Sequence, residues 1–223
     1  MKRLIYLILL CLPFTAQAQK PEKLHFVFGN HHTFYAGYDF AHFHHKDELL
    51  TFSKGFRAGY EYDINISNEL PVYLGVGAGV FFYYQDNTNS IFLEEEEYSK
   101  VDEKNHHSFG GITIPVNFTY DLKIGKKWLF KPMFGIHVNY NLHAAEKLSL
   151  GYDDGSLYTI DYSLFDEELA GQRKFNHMFM GWQTGFRVQY GHLGLGFTYE
   201  REFMQISSFF TTNSQSVNLS YTF

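Results

Sequence analysis

Cysteine is almost absent from this chain, and the only one lies close to the amino terminus. The 223 residues contain a single cysteine, Cys11, inside an apolar stretch that we expect to be removed. The mature chain would then lack thiols, which excludes disulfides, cysteine-ligated zinc and cysteine nucleophiles. Long apolar runs are missing too. After residue 18 no stretch approaches the roughly 18 consecutive apolar residues typical of a transmembrane helix.

Positive charge is also scarce. The chain has 18 Lys and Arg against 24 Asp and Glu, a formal net charge of −6. This balance argues against a nucleic-acid partner, which requires a basic face. Charged residues make up only 19% of the chain, and aromatic residues another 19%, with 24 Phe and 17 Tyr. So many rings exclude a disordered chain, because disordered chains are poor in aromatics.

The first 18 residues have the layout of a secretory signal peptide. A basic start at residues 1–3 precedes an apolar run at 4–12, and Ala16-Gln17-Ala18 offers a cleavage site. The apolar run is too short to span a bilayer, which takes roughly 20 helical residues. We therefore expect a signal peptide over 1–18 and one mature domain over 19–223.

Strict alternation of apolar and polar residues dominates the mature chain. The even positions of 112–124 are apolar while most odd ones are polar, and the pattern recurs over 128–142 and 178–190. Successive residues of a strand face opposite sides, so each segment is predicted to be a strand with one apolar and one polar face. The pattern predicts eight strands, at 33–43, 52–64, 71–85, 107–124, 128–143, 176–190, 193–205 and 215–223.

The connections between these strands differ in length at the two ends. Short links at 65–70, 125–127 and 191–192 alternate with longer ones at 86–106, 144–175 and 206–214. Short turns at one end and long loops at the other are typical of outer-membrane barrels.

The last strand adds a further feature, because it alternates and ends in an aromatic residue at Phe223. With its leader and eight amphipathic strands, the chain resembles the small eight-stranded outer-membrane barrels of the OmpA/OmpX type and related Bacteroidota families. The resemblance covers 33–223. It implies an all-β, eight-stranded antiparallel up-and-down transmembrane β-barrel, a monomer in the outer membrane. It also implies that the barrel assembly machinery reads the C-terminal strand. It says little about activity, since such barrels host unrelated functions.

A soluble lipocalin-like barrel is the alternative fold, with its apolar face turned inward. Its outer face would then carry the polar residues, which are normally rich in Lys and Glu. Here the polar set consists mainly of Gly, Asn, Thr and Gln, which suits a cramped interior. The only charges on the apolar set of strands two to eight are Lys54 and Arg201, both toward the long-loop end. These observations favour the membrane barrel.

The polar face is predicted to enclose a cluster of charges. An eight-stranded barrel is just wide enough for side chains to fill, and unpaired charges inside it are costly. The cluster comprises Asp39, Arg57, Glu61, Asp121, Lys131, Arg187 and Glu200. We expect these charges to balance and pair, which would close the lumen or nearly close it. A narrow channel is the alternative, whereas a wide pore needs about twice as many strands.

Aromatic residues are expected to form girdles at both ends of the outward face, at the level of the lipid headgroups. The short-turn rim would hold Tyr60, Tyr62, Tyr120, Trp128, Tyr190, Tyr221 and Phe223, and the other rim Phe82, Tyr84, Tyr140 and Trp182. Pro115 and Pro132 lie inside predicted strands, where each removes a ladder donor, so we expect a bulge at each.

The long loops are acidic. The second contains the run Glu94–Glu97, and the third contains Asp153, Asp154 and the alternating stretch 157–162. A charge run most often forms a solvated face. The functional alternatives are cation bridging to lipopolysaccharide phosphates, or docking of an extracellular partner on a presented strand edge.

Histidines concentrate at the predicted outer mouth, at His42, His44, His45, His106, His107, His143 and His177. Imidazole clusters bind zinc, copper or nickel, but the chain has no helical metal-binding signature, and we predict no metal site. His106 and Ser108 share one strand face and resemble a fragment of the arrangement in outer-membrane lipid A deacylases. No orienting carboxylate is identifiable. The favoured prediction is a non-enzymatic barrel with no catalytic residues and no cofactor, interacting with outer-membrane lipid and an unknown extracellular partner.

Overall fold

Alternating segments form strands throughout the computed structural model, which describes residues 29–45, 48–92, 100–152, 155–170, 174–207 and 211–223. The predicted signal peptide, residues 24–28 and the run Glu94–Glu97 lie outside the described residues. Among those described, no helix is long and apolar enough to cross a membrane.

Ten strands and one short helix make up the described chain. They are β1 (His31–His45), β2 (Glu48–Asn65), β3 (Val72–Phe92), β4 (Lys100–Tyr120), β5 (Leu122–Ile124), β6 (Trp128–Tyr152), β7 (Leu157–Ser163), α1 (Glu167–Ala170), β8 (Met178–Tyr190), β9 (Leu193–Glu202) and β10 (Thr211–Thr222). β4 and β5 together form one predicted strand, and β7 lies outside the ring. The predicted eight-stranded fold is confirmed, with β3, β4 and β6 longer than the sequence suggested.

The eight strands form an antiparallel ring. Neighbours follow the order β4-β3-β2-β1-β10-β9-β8-β6, and β6 pairs with β4 to complete the circle. Gly125 and Gly191 lie in the short turns with φ values of 71° and 59°, a left-handed conformation that glycine adopts without steric cost.

The apolar face of the ring points outward. Phe34, Phe118 and Leu219 are 52%, 56% and 69% exposed, while the charged Asp39 and Lys131 are buried inside. This is the orientation of a membrane barrel and the reverse of a lipocalin, so the orientation predicted from the sequence is confirmed.

Neither proline is accommodated by a bulge, so that expectation was wrong. The β3–β4 ladder skips the two pairs around Pro115 and resumes in the same register. Gly77 lies opposite and leaves room, because a Cβ there would come 2.9 Å from Pro115 Cγ. Pro132 faces the break between β4 and β5, where the register is likewise unchanged. The lost ladder donor therefore interrupts each ladder locally without shifting it.

A bulge does occur higher up, where the register shifts between Gly110 and Gly111 and β6 gains one residue. Below it the even residues of β6 point outward. Leu142 and His143 are both exposed, and above them Ala144 and Glu146 point inward while Lys147 points outward. The inward-pointing positions of β6 are therefore odd-numbered below the bulge and even-numbered above it, because the extra residue shifts the alternation by one.

Candidate functional site

Arg57 is the centre of a buried ionic network in the middle of the lumen. Its Nε donates to both Asp39 oxygens, at 2.6 and 2.9 Å, and its Nη1 and Nη2 contact the two oxygens of Glu200, the latter at 2.9 Å. The Tyr83 hydroxyl donates to Asp39 at 2.9 Å, and Ser214 Oγ donates to Glu200 at 3.1 Å. Two carboxylates thus share one guanidinium, and both receive additional hydrogen bonds.

A second network lies nearer the short turns. Lys131 Nζ is 2.9 Å from Asp63 Oδ2 and 3.3 Å from Asp121 Oδ1, with its ammonium wholly enclosed. Asn117 Nδ2 donates to Glu61 Oε2 at 3.1 Å. The arrangement neutralises part of the buried charge, as such an interior requires.

All seven charged residues predicted for the lumen are buried inside the ring, among them Arg187, which is 8% exposed. Sequence reasoning missed Asp63 and Glu202, although each lies two positions from a predicted residue on the same strand face. It also missed His137, whose Nε2 lies 2.9 Å from Glu202 Oε2.

These additions change the charge balance of the interior. The buried carboxylates are Asp39, Glu61, Asp63, Asp121, Glu146, Glu200 and Glu202, against the buried cations Arg57, Lys131 and Arg187. Among the residues whose burial is described, acidic groups are therefore in excess, and the balance expected from the sequence does not hold there.

Little free space remains between these side chains. A cavity of about 40 Å³ lies beside Arg187, and one of about 20 Å³ lies beneath Phe109. Since a buried water needs roughly 10–15 Å³ of such space, each has room for a few waters.

A cluster of apolar side chains lies in the outer half of the lumen, beside polar groups such as Gln85 and Asn141. Inward-facing rings from four strands meet there, with Phe43 and Phe81 each within 6.5 Å of Phe109. Connecting segments add Leu164, Phe175 and Ile206. We call this cluster the cap; its full membership is Ala41, Phe43, Phe81, Tyr83, Phe109, Ala144, Leu164, Ala170, Phe175, Phe179 and Ile206.

Backbone hydrogen bonds hold the cap segments over the mouth. Leu164 N donates to Ala144 O and Phe175 N donates to Leu164 O, both at 2.8 Å. At the surface, Lys174 Nζ lies 2.7 Å from Glu167 Oε2, and this hydrogen bond lowers the pKa of Glu167. The sequence held one signal of the cap, namely the phenylalanines on the otherwise polar inner face near the long loops.

Four strands rise beyond the ring on one side. We call this extension the protruding sheet; it consists of 86–92 of β3, 100–107 of β4, 147–152 of β6, and β7. The alternating stretch 157–162 lies in β7, which extends the sheet; the sequence offered this only as an alternative to a solvated loop. In the described part of the chain no strand pairs with the other edge of β7.

The direction of the free backbone groups on β7 follows from its pairing with β6. Tyr152 N donates to Ser156 O and Leu164 N donates to Ala144 O. Because hydrogen-bonded pairs alternate in an antiparallel ladder, the N–H groups of Tyr158, Ile160 and Tyr162 point to β6. Those of Leu157, Thr159 and Asp161 then point to the free edge.

The outward face near the long loops brings together several predicted histidines. Ser108 Oγ lies 2.9 Å from His143 Nε2, while His106 Nδ1 lies 2.5 Å from Asp86 Oδ1. The serine therefore meets a histidine of β6, whereas the sequence had suggested His106. In the described ranges no three His, Cys, Asp or Glu side chains are spaced to hold a metal ion.

Comparison with known families agrees with this architecture. A family model described as outer membrane protein beta-barrel domain matches residues 17–208. The chain belongs to this family. It is therefore an outer-membrane protein. The membrane barrel inferred from its outward apolar face is the architecture that the family description names. No curated protein matches the chain.

Several solved barrels resemble this outer-membrane barrel at low sequence identity. The attachment invasion locus protein Ail of Yersinia pestis is 12% identical with a TM-score of 0.41, over 87% of this chain and 99% of that one. Neisserial surface protein A is 14% identical with a TM-score of 0.39, over 86% and 97%. A major outer membrane protein from Thermus thermophilus is 15% identical with a TM-score of 0.38, over 87% and 100%.

Proposed function

We propose that this chain is a non-enzymatic outer-membrane barrel with a sealed lumen, which meets an extracellular partner through the protruding sheet. The observation that carries the proposal is the filling of the ring by two different barriers in series. The cap places apolar side chains across the outer half, and the networks of Arg57 and Lys131 place paired charges in the middle and in the inner half. A hydrated ion that enters from outside the cell would meet the apolar cap first and the paired charges of the two networks next.

Planar-bilayer conductance tests the seal. The wild-type barrel is expected to give no steady current. An opened variant carrying Phe109→Ala, Phe179→Ala, Arg57→Ser and Glu200→Ser should conduct, because it removes two rings from the cap and two of the three charges of the central network, leaving Asp39. A matched control carries Phe118→Ala and Phe134→Ala on the lipid face and should stay closed. Steady, large currents through the folded wild-type barrel would contradict the seal.

The extracellular role rests on the free edge of β7. An exposed edge is a template to which an extended segment can add as a further strand. Leu157, Tyr158 and Ile160 on this strand are 72%, 57% and 37% exposed, which offers apolar contacts beside the backbone groups. Asp161 is exposed on this strand, and the exposed acidic residues Asp166, Glu167 and Glu168 follow it in the chain. The partner that fits is an extended segment that alternates apolar and basic residues.

A single substitution separates edge docking from simple charge attraction. Thr159→Pro removes an N–H that points to the free edge and leaves the hydrogen bonds to β6 intact. Proline is tolerated at such an edge position, because its missing N–H would face solvent. A fluorescent peptide of alternating valine and lysine is expected to bind the wild type and the Thr159→Val control, and to lose affinity for Thr159→Pro. Equal binding by all three proteins would overturn the edge proposal.

Lipid contacts complete this proposal. Lys54 and Arg201 are exposed on the outward face toward the long-loop end, where lipopolysaccharide phosphates would neutralise them. The barrel acts as a monomer, inserted by the barrel assembly machinery through its C-terminal strand.

A second candidate function is ester hydrolysis at the outer leaflet, favoured by the 2.9 Å contact between Ser108 Oγ and His143 Nε2. A serine beside a histidine can be activated for attack on an acyl ester. In a catalytic triad the serine and the carboxylate contact the same histidine. Here Ser108 contacts His143, whereas the carboxylate of Asp86 contacts His106. This division favours the non-enzymatic proposal.

A lipid A deacylation assay separates these two functions. The wild type and the Ser108→Ala variant are both expected to release no acyl chains. Activity in the wild type that disappears with Ser108→Ala and with His143→Ala would establish the enzyme instead.

A further inference from the structure

Among the described residues of the short turns, positive charge is concentrated in one sector of the rim. Lys123, Lys126 and Lys127 are exposed within β5 and the hairpin that follows it. The other two short turns differ, since Glu69 is the only charged residue of 66–71 and the remaining turn is Gly191-His192. Short turns face the periplasm in barrels of this class, so this basic sector lies beside the inner leaflet.

Aromatic rings flank the lysines on the lipid side. Trp128 and Tyr190 are 50% and 49% exposed, and their ring centroids lie 5.0 Å apart. Lys127 Nζ lies 5.7 Å from the centroid of the Tyr190 ring. Such rings occupy the headgroup level of a bilayer. The ammonium of Lys127 is therefore held at the height where phospholipid phosphates lie.

An open cavity adjoins these side chains. It has a volume of about 310 Å³ and is lined by Gly125, Lys126, Lys127 and Trp128, with Asp121 on its inner side. The carboxylate of Asp121 lies 3.3 Å from the buried ammonium of Lys131, which it shares with Asp63. An incoming anion is therefore expected at the exposed lysines of the rim, because the acidic interior repels it from the deeper part of the lumen.

We propose that Lys126, Lys127 and Trp128 form a binding site for the phosphate of an anionic phospholipid in the inner leaflet. Lysine binds phosphate as a compact point charge, and basic residues at a membrane surface favour anionic lipid by about fivefold each. A lipid fits better than a soluble anion because Trp128 and Tyr190 face hydrocarbon, where they can contact the acyl chains. The site is independent of the seal and of the β7 edge.

The two tryptophans of the chain make the site directly observable. Trp182 is the other tryptophan and pairs with Ile136, away from the lysines, so a Trp182→Phe background leaves Trp128 as the only indole. In vesicles of phosphatidylcholine with a minor fraction of brominated phosphatidylglycerol, Trp128 fluorescence is expected to be quenched several-fold more than by brominated phosphatidylcholine at the same fraction. The preference should shrink in 1 M salt, where the screening length is about 3 Å.

Matched variants separate the site from general charge effects. Lys126→Gln with Lys127→Gln should abolish the preference for the anionic probe. Lys104→Gln with Lys147→Gln, which removes two charges at the opposite end, should leave it unchanged. Equal quenching by both brominated lipids, or a preference that survives the first pair of substitutions, would overturn the proposal. Because both leaflets carry the probe, the direction of insertion does not affect the result.

Discussion

Lys131 illustrates how strongly single side chains in the lumen depend on each other. Its side chain is 2% exposed and its ammonium contacts both Asp63 and Asp121. Removing one partner of a buried ion pair costs about 3–5 kcal/mol, because the remaining charge is left without compensation. Lys131→Met is therefore expected to lower the free energy of unfolding by that amount, measured by urea titration in detergent. Lys147→Met, at an exposed position, should change it little; equal loss in both variants would refute the pairing.

The inward glycines set a second constraint on single residues. A Cβ at Gly77 would lie 2.7 Å from the backbone oxygen of Tyr60 and 2.9 Å from the ring atom Pro115 Cγ, whereas one at Gly196 would meet nothing closer than 3.5 Å. Overpacking of this kind costs about 1–3 kcal/mol. Gly77→Ala should therefore destabilise the barrel in the same urea assay, while Gly196→Ala should not. A destabilised Gly196→Ala protein would show that strand flexibility, rather than space, decides the choice of glycine.

Each strand of the ring has one face toward lipid and one toward the lumen. Phe134 lies midway between the girdle residues Trp128 and Tyr140 and is 58% exposed, and Leu193 directly follows a short turn. An arginine on the lipid face costs about 2–4 kcal/mol at the bilayer midplane and about 0–1 near the interfaces. Phe134→Arg is expected to reduce folding into vesicles far more than Leu193→Arg, measured by urea titration. Equal effects would mean that this face is not buried in hydrocarbon.

Periodicity was sufficient to predict the strands but not their interruptions. The pattern passes correctly through the Gly191-His192 turn, where the apolar set moves from even to odd positions. It gave no sign of the extra residue in β6, because either parity of residues 143–150 is compatible with a strand. The contact between Arg57 and Glu200 joins residues far apart in sequence, which only closure of the ring brings together. The cap is partly built from Leu164, Phe175 and Ile206, in segments with no periodic pattern to read.

Across the whole molecule, the excess of buried carboxylates sets the electrical character of the interior. Even without Arg57 and Glu200, Asp39, Glu61, Asp63, Asp121, Glu146 and Glu202 outnumber Lys131 and Arg187. A passage lined by excess negative charge favours cations. The opened variant is therefore expected to pass cations in preference to anions, seen as the sign of its reversal potential in a KCl gradient. A reversal potential of the opposite sign would show that the excess charge is neutralised by protons.

The bulge at Leu142 has an evolutionary consequence. Deleting that one residue would join Asn141 directly to His143 and restore the regular alternation, so Glu146 would still point inward and Lys147 outward. A change of one codon in the length of this strand is therefore absorbed at the bulge. The side chains on either side of it, in the membrane and above it, keep their orientations.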